Sequence, residues 1–298
     1  MLVKLKEMFG SKPAKAAGAR PRGSKANLDR RFTIIAQTSQ GSMSRVYRAV
    51  DNQSGGTICL KVQIPDKNAA AAVRSDRTKP DEGEVARQVA HPNVVRTLEY
   101  GVSTRGEHFL VMEFIDGDSF QFLRETRAVP GLADKLELLA QAAEGLAAVH
   151  AAGFIHHDIN PRNFLVGRDR TVKLIDFGLA VPNTPVFLRP GNRTGTLNYM
   201  APELIRREPI DERIDIFAFG SVAFEFLTDR LPYDAAGSMG SMIQRINAEP
   251  RDPAQANPGL PPELHQLLRQ LTTRRKDERW PKMATVAAAL RAIPAERS

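Results

Sequence analysis

"FIHHDINPRNFLV", residues 154–166, sets two histidines, an aspartate and an asparagine into a run that is otherwise apolar or turn-forming. Upstream, Leu136, Leu139, Ala140, Ala143, Leu146, Ala147 and His150 recur at steps of three and four, the period of a buried helix face. Gly153 breaks that helix and "FLV" returns to a strand, so Asp158 and Asn163 are expected on a loop between the two. Eighteen residues after Asp158, "VKLIDFGLA" (172–180) reads as an apolar strand that delivers Asp176 into a Phe-Gly turn. Oxygen-bearing side chains on neighbouring strand ends suit a divalent hard cation. Asp158 has no second acid close in sequence and is better placed as a base.

The N-terminal third has a different period. "RFTIIAQTSQGSMSRVYRAVD" (31–51) alternates apolar and polar residues on both sides of a small-residue turn, and "TICLKVQI" (57–64) alternates again, the pattern of successive hairpins. A helix is expected around 80–90, and "HFLVMEFI" (108–115) is a short apolar strand closed by the turn "DGD". Strands come first and helices later. That order predicts an α+β chain with a small β-rich lobe over 32–115, a hinge near Glu113 to Gly117, and a larger helical lobe over 116–298.

The formal charge of +8 on 298 residues is concentrated at one end. Residues 1–31 hold Lys4, Lys6, Lys12, Lys15, Arg20, Arg22, Lys25, Arg30 and Arg31 against Glu7 and Asp29 only. "GSKPAKAAGARPRGSKA" (10–26) has the composition of a flexible segment. "MLVKLKEMF" before it can place Leu2, Leu5 and Phe9 on one side, enough for a weak contact with an anionic membrane or a partner protein. No aromatic residues interleave with the basic ones, so nucleic acid is not an expected partner. The sequence has no apolar run of about 20 residues and no secretory-type leader, and it has one cysteine, Cys59; the expected location is the cytoplasm.

Taken in order, "SQGSMSRVY", "ICLK", "HHDINPRN", "DFG", "GTLNYMAPE", "DIFAFG" and "RRKDERW" resemble the successive motifs of the eukaryotic-type serine/threonine protein kinases, the Hanks type of bacteria. The resemblance implies a bilobal fold, ATP with Mg²⁺ or Mn²⁺ as cofactors, and protein substrates with Ser or Thr acceptors. It assigns Ser39, Gly41, Ser44 and Val46 to the loop and strand that cover the phosphates. Lys61 would hold the α- and β-phosphates, paired with Glu82, with Glu84 as the nearby alternative. Cys59 and Met112 would wall the adenine pocket, and Glu113 and Ile115 would offer it backbone groups. Asp158 would take the proton of the attacking hydroxyl, Asn163 and Asp176 would ligate the metal, and Glu203 and Arg279 would form a structural ion pair.

The departures from the family pattern are as informative. Ser39 and Ser44 stand where the glycine loop has glycines, and serine does not adopt positive φ as cheaply. Asn160 replaces a lysine that contacts the γ-phosphate, so Arg162, four residues after Asp158, is expected to supply the missing charge as a catalytic residue. These changes motivate the alternative of an ATP-binding pseudokinase that works as a scaffold or allosteric partner. A small-molecule phosphotransferase is a third reading, disfavoured by "GTLNYMAPE". His157 replaces the arginine that commonly binds a phosphate on the activation segment, and a neutral imidazole gives that phosphate no salt bridge. Activity is therefore expected not to require phosphorylation at Thr184 or Thr194, with Thr196 set apart as a docking residue.

Overall fold

Alternation over residues 32–63 produces three antiparallel strands, β1 (Phe32–Gln40), β2 (Ser44–Asp51) and β3 (Thr57–Gln63). β4 (Thr97–Val102) and β5 (His108–Glu113) complete a five-stranded sheet of order β1-β2-β3-β5-β4. A computed structural model describes residues 25–40, 44–64, 79–129, 131–191 and 194–294. These divide into two units: the first takes the described residues up to 64 together with Thr97–Phe114, and the second takes 79–96 and 115–294.

Period two gives the sheet of the first unit two distinct faces. Ala49, Ile58, Leu60, Val62, Phe109 and Val111 point into one core with Phe32. The residues between them face the other way: Val46, Lys61 and Leu110 stand opposite one another across three strands, and Cys59 stands opposite Met112. Below the first strand, α1 (Leu28–Arg31) ends on a buried guanidinium. Arg31 is 3.1 Å from Asp51 and 2.7 Å from Glu99, and lies over the Phe32 ring. One cation thus ties strands β1, β2 and β4.

The second unit begins earlier than the sequence reading drew it. α2 (Glu82–Gln88) and residues 93–95 belong to it. Val95 N donates to Leu174 O and Leu174 N to Asn93 O, while the Asn93 amide donates to Val172 O. These bonds join residues about eighty positions apart, so no local pattern announces them. The remaining helices are α3 (Phe120–Glu125), α4 (Leu132–Ala151), α5 (Pro202–Arg206), α6 (Arg213–Thr228), α7 (Met239–Asn247), α8 (Pro253–Ala256), α9 (Pro262–Thr272) and α10 (Met283–Ala292). α4 buries Leu136, Leu139, Ala140, Ala143 and Leu146, as its spacing predicts. At Gly145 the helix passes so close to the 93–95 segment that a Cβ would lie 2.4 Å from Asn93 O. α6 is apolar almost all round and buried along its length, with Phe217, Phe219 and Phe224 fully enclosed. Short ladders complete the unit: β6 (Gly117–Ser119), β8 (Phe164–Gly167) and β9 (Val172–Leu174) form one, β7 (Phe154–Ile155) and β10 (Val181–Pro182) another. Among the described residues no helix is long and apolar enough to cross a membrane.

Glu203, on α5, and Arg279 form the expected ion pair, bidentate at 2.6 and 2.8 Å and almost fully buried. Arg279 also donates to the carbonyls of Thr273, Arg213 and Arg274, so every N–H of its guanidinium is bonded. Removing one partner strands the other charge. Arg279→Ala is expected to lower the unfolding free energy by about 3–5 kcal/mol, measured by denaturant titration. Replacing both residues at once with Met and Leu should cost less than that single change. Equal losses would show that the pair's isolation is not what matters.

Candidate functional site

The loop of residues 156–163 is shaped from outside, by Asp215 in the first turn of α6. Its buried carboxylate accepts the backbone N–H of His156 at 2.7 Å and of His157 at 2.9 Å, and contacts His150 Nε2 at 3.0 Å. Burial pushes its pKa up, but the His150 hydrogen bond and the nearby imidazoles outweigh that and hold it below the usual value. Asp215 is therefore an anion at neutral pH. Meeting it with two successive amides leaves His157 at φ 68°, a conformation that a residue with a Cβ adopts at some cost.

Beyond that turn the loop holds itself. Asp158 N–H donates to His156 Nδ1 at 3.3 Å, which puts the imidazole proton on Nε2, and Nε2 then donates to Ile175 O at 3.2 Å. His156 thus couples the loop to the strand carrying Asp176. Asn163 N–H₂ donates to Asp158 O at 2.8 Å and Oδ2 at 3.3 Å, and Ile175 N donates to Asn163 O. Asn160 donates to Asp158 O at 3.1 Å and accepts Arg162 N–H at 3.0 Å. The residue standing where the family carries lysine is therefore a buried brace inside the loop. The motive for the pseudokinase reading at Asn160 is weakened accordingly.

Asp176 lies two residues past β9 at φ 66°, with Oδ1 accepting Gly178 N–H at 3.0 Å. With its amide nitrogen turned to Asp158, Asn163 has its Oδ1 left for a cation, and Asp176 adds a carboxylate. Among the described residues no three His, Cys, Asp or Glu side chains gather to hold a metal unaided. Two hard oxygen donors fit an ion such as Mg²⁺, which completes its shell with phosphate oxygens and water.

Asp158 itself is met by Thr196, whose N–H and hydroxyl both donate to Oδ1, at 2.9 and 2.7 Å. Gly195 permits this approach: its φ is 113°, and a Cβ there would lie 2.5 Å from His157 O.

The residues read from sequence fall into two groups. In the second unit Asp158, Asn163 and Asp176 come together, and Glu82 is buried at the start of α2. In the first unit Val46, Cys59, Lys61 and Met112 share one sheet face, with Ser39 opposite Val46, Ser44 opening β2 and Glu113 closing β5. Ile115 is half-buried in the second unit, and Gly41 lies outside the described residues. Burial pushes the Cys59 thiol up to about 11 against the pull of Lys61, which suits a wall residue more than a reactive thiolate. Arg162 differs from expectation. Its Nε donates to Gln121 Oε1 at 2.6 Å, so the guanidinium is engaged with α3. Sequence reasoning missed His156 and Asp215 as positioning residues and the Thr196 contact with Asp158; only "DIFAFG" pointed towards Asp215.

Comparison with known proteins gives a consistent result. The family described as the protein kinase domain matches residues 32–290. Serine/threonine-protein kinase PknL of Mycobacterium tuberculosis is 31% identical over 288 residues, 94% of this chain and 70% of that one. Serine/threonine-protein kinase pkn2 of Myxococcus xanthus is 35% identical over 242 residues, 78% of this chain and 28% of that one. A protein of Bifidobacterium longum named "probable serine/threonine-protein kinase pknA2" is 28% identical over 272 residues, 90% of this chain. This chain spans 36% of the Bifidobacterium protein, so that relative is a much longer molecule.

His157 bears on regulation. Burial lowers its pKa, Asp215 opposes the shift, and Lys79 and His156 add to it, so the imidazole is neutral at pH 7. Its Nδ1 lies 3.4 Å from Thr194 Oγ1. We propose that the segment from Asp176 to Glu203 takes up its working form without a phosphate. The Thr184→Ala, Thr194→Ala double variant is expected to keep an initial rate within about threefold of phosphatase-treated wild type, a difference under about 1 kcal/mol. A loss of about a hundredfold, restored by acidic substitutions, would show a phosphate-gated segment.

Proposed function

The chain belongs to the protein kinase family, and we propose that it transfers the γ-phosphoryl group of ATP to Ser and Thr hydroxyls of protein substrates. One observation carries the reading: Asp158 Oδ1 already accepts a threonine hydroxyl, from Thr196, at 2.7 Å. An acceptor hydroxyl in that position gives its proton to the same carboxylate oxygen. Asp158 can do this because Asn163, Asn160 and the Asp215-bound amides hold its backbone, and the Asn163 amide also donates to its Oδ2 at 3.3 Å.

ATP supplies the phosphoryl group, and the bound Mg²⁺, or Mn²⁺ in its place, neutralises charge that develops on the phosphate oxygens. In the second unit Asn163 Oδ1 and the Asp176 carboxylate are the residues to hold that ion. In the first unit Lys61 is the residue for the α- and β-phosphates, with Glu82 as its partner by resemblance. The pseudokinase alternative asks for the loss of one of these groups, and Lys61, Asp158, Asn163 and Asp176 are all present. The basic character of residues 1–31 supports a weak contact with an anionic membrane or a partner, and a single cysteine supports a cytoplasmic location. Residues 1–24 lie outside the described residues.

Lys61→Met, Asp158→Asn and Asp176→Asn are each expected to lower the transfer of labelled phosphate to a generic acceptor protein by at least about a hundredfold. Their melting transitions should remain cooperative, since none of the three belongs to an apolar core. Wild-type turnover in any purified variant would remove the assignment of that residue and, for Asp158, the reading itself.

A further inference from the structure

Among the described residues three arginines are nine-tenths buried or more, and two of them are neutralised. Arg31 has Asp51 and Glu99, and Arg279 has Glu203. The third, Arg245 on α7, is 6% exposed and has no carboxylate. Its Nη1 donates to Leu197 O at 2.8 Å, its guanidinium lies over the Tyr233 ring, and its Nη2 is buried with no hydrogen-bond partner among the described residues. A buried cation left in this condition is costly, and such sites recur where a ligand completes them. Burial pushes its pKa down to about 10, against the pull of the Tyr233 and Tyr199 side chains. It is still charged at neutral pH.

The position of this charge connects it to the reaction. Leu197, whose carbonyl Arg245 holds, follows Thr196, the residue that contacts Asp158, and its side chain is 39% exposed. The cation therefore holds the backbone one residue from the threonine whose hydroxyl Asp158 accepts. Arg162, exposed and four residues after Asp158, likewise has a neutral partner in Gln121. The nearby acids do not cancel these charges. Glu225 is engaged by Tyr199 Oη at 2.6 Å and by Arg124 at 3.4 Å, and Glu125 by Gln121 at 2.8 Å and by Arg124 at 3.7 Å.

We propose that Arg245, with Arg162, reads an acidic side chain next to the acceptor, so that the preferred substrates are Ser/Thr peptides carrying Asp or Glu close to the acceptor hydroxyl. This inference rests on the kinase reading and names its substrate class. The Tyr233 face and the Leu197 carbonyl fix the buried guanidinium, so its charge attracts a carboxylate from a set place beneath Leu197, while the exposed Arg162 is the one that can bond it directly.

The experiment is a positional-scanning library of Ser/Thr peptides phosphorylated with ATP and Mg²⁺, beside a generic acceptor protein. At one position Asp or Glu should exceed Ala and Lys in kcat/KM by about tenfold to a hundredfold, the worth of a charge-assisted hydrogen bond. The excess should appear in KM and shrink with added salt. In Arg245→Gln the acidic-to-neutral ratio should fall towards one, with Arg245→Lys restoring part of it. If Arg245→Gln does not fold, the wild-type scan and Arg162→Gln decide, since the ratio should also drop in the latter. A flat or basic preference in wild type overturns the inference while leaving the kinase reading intact. So does an acidic preference unchanged in an Arg245→Gln protein that melts as wild type does. Absence of transfer to the library and to the generic protein alike overturns the kinase reading, and this inference with it.

Discussion

The structure around Asp158 depends on a single carboxylate. Asp215 is buried in the first turn of a helix that is otherwise apolar, and it accepts the amides of His156 and His157 while paired with His150. Those two amides point inward because a buried anion waits for them, and an unpaired buried carboxylate would cost several kcal/mol. Everything downstream follows from that turn: the positive φ of His157, the imidazole bridge from Asp158 N–H to Ile175 O, and the Asn163 amide that orients Asp158 and frees its own oxygen. The pKa of Asp215 is lowered, so this support is complete above the ordinary carboxylate value and is lost as pH falls through the lower folded one.

Buried charge is used in three ways across the protein. Arg31 and Arg279 are neutralised by acids from distant parts of the sequence and fix strand edges and helix ends respectively. Asp215 is neutralised by dipoles and an imidazole, and fixes a loop. Arg245 is held by one carbonyl and a ring face and lies under exposed Leu197. The first two uses account for stability and for the placing of groups, whereas the last leaves bonding capacity unspent.

Much of this was legible in the sequence. The period-two alternation of "TICLKVQI" places Lys61 and Cys59 on the face away from Leu60 and Val62, and the structure has them there. The break at Gly153 and the return to a strand at "FLV" predict the loop that carries Asp158 and Asn163, and the resemblance pairs Glu203 with Arg279 across seventy-six residues, an ion pair the structure has. What escaped is chemistry that runs through the backbone. The amides of His156 and His157 carry no side-chain signature of their attachment to Asp215, and the 93–95 segment joins the second unit through carbonyls and N–H groups that every residue possesses. Rotamer choices escaped for a related reason: Arg162 has the spacing to serve Asp158, but its long side chain is free to turn, and it bonds Gln121.

The most direct measurement is the turnover number of Asp215→Ala beside its affinity for ATP. Among the described residues the carboxylate hydrogen-bonds the loop and His150, so the variant should bind ATP within about threefold of wild type while kcat falls by at least about a hundredfold, a misplaced Asp158 costing more than about 2.7 kcal/mol. Hydrogen exchange at the His156 and His157 amides should quicken in the same protein. A folded Asp215→Ala variant with kcat within about twofold of wild type would contradict the account, because the base would then be held by something other than this carboxylate.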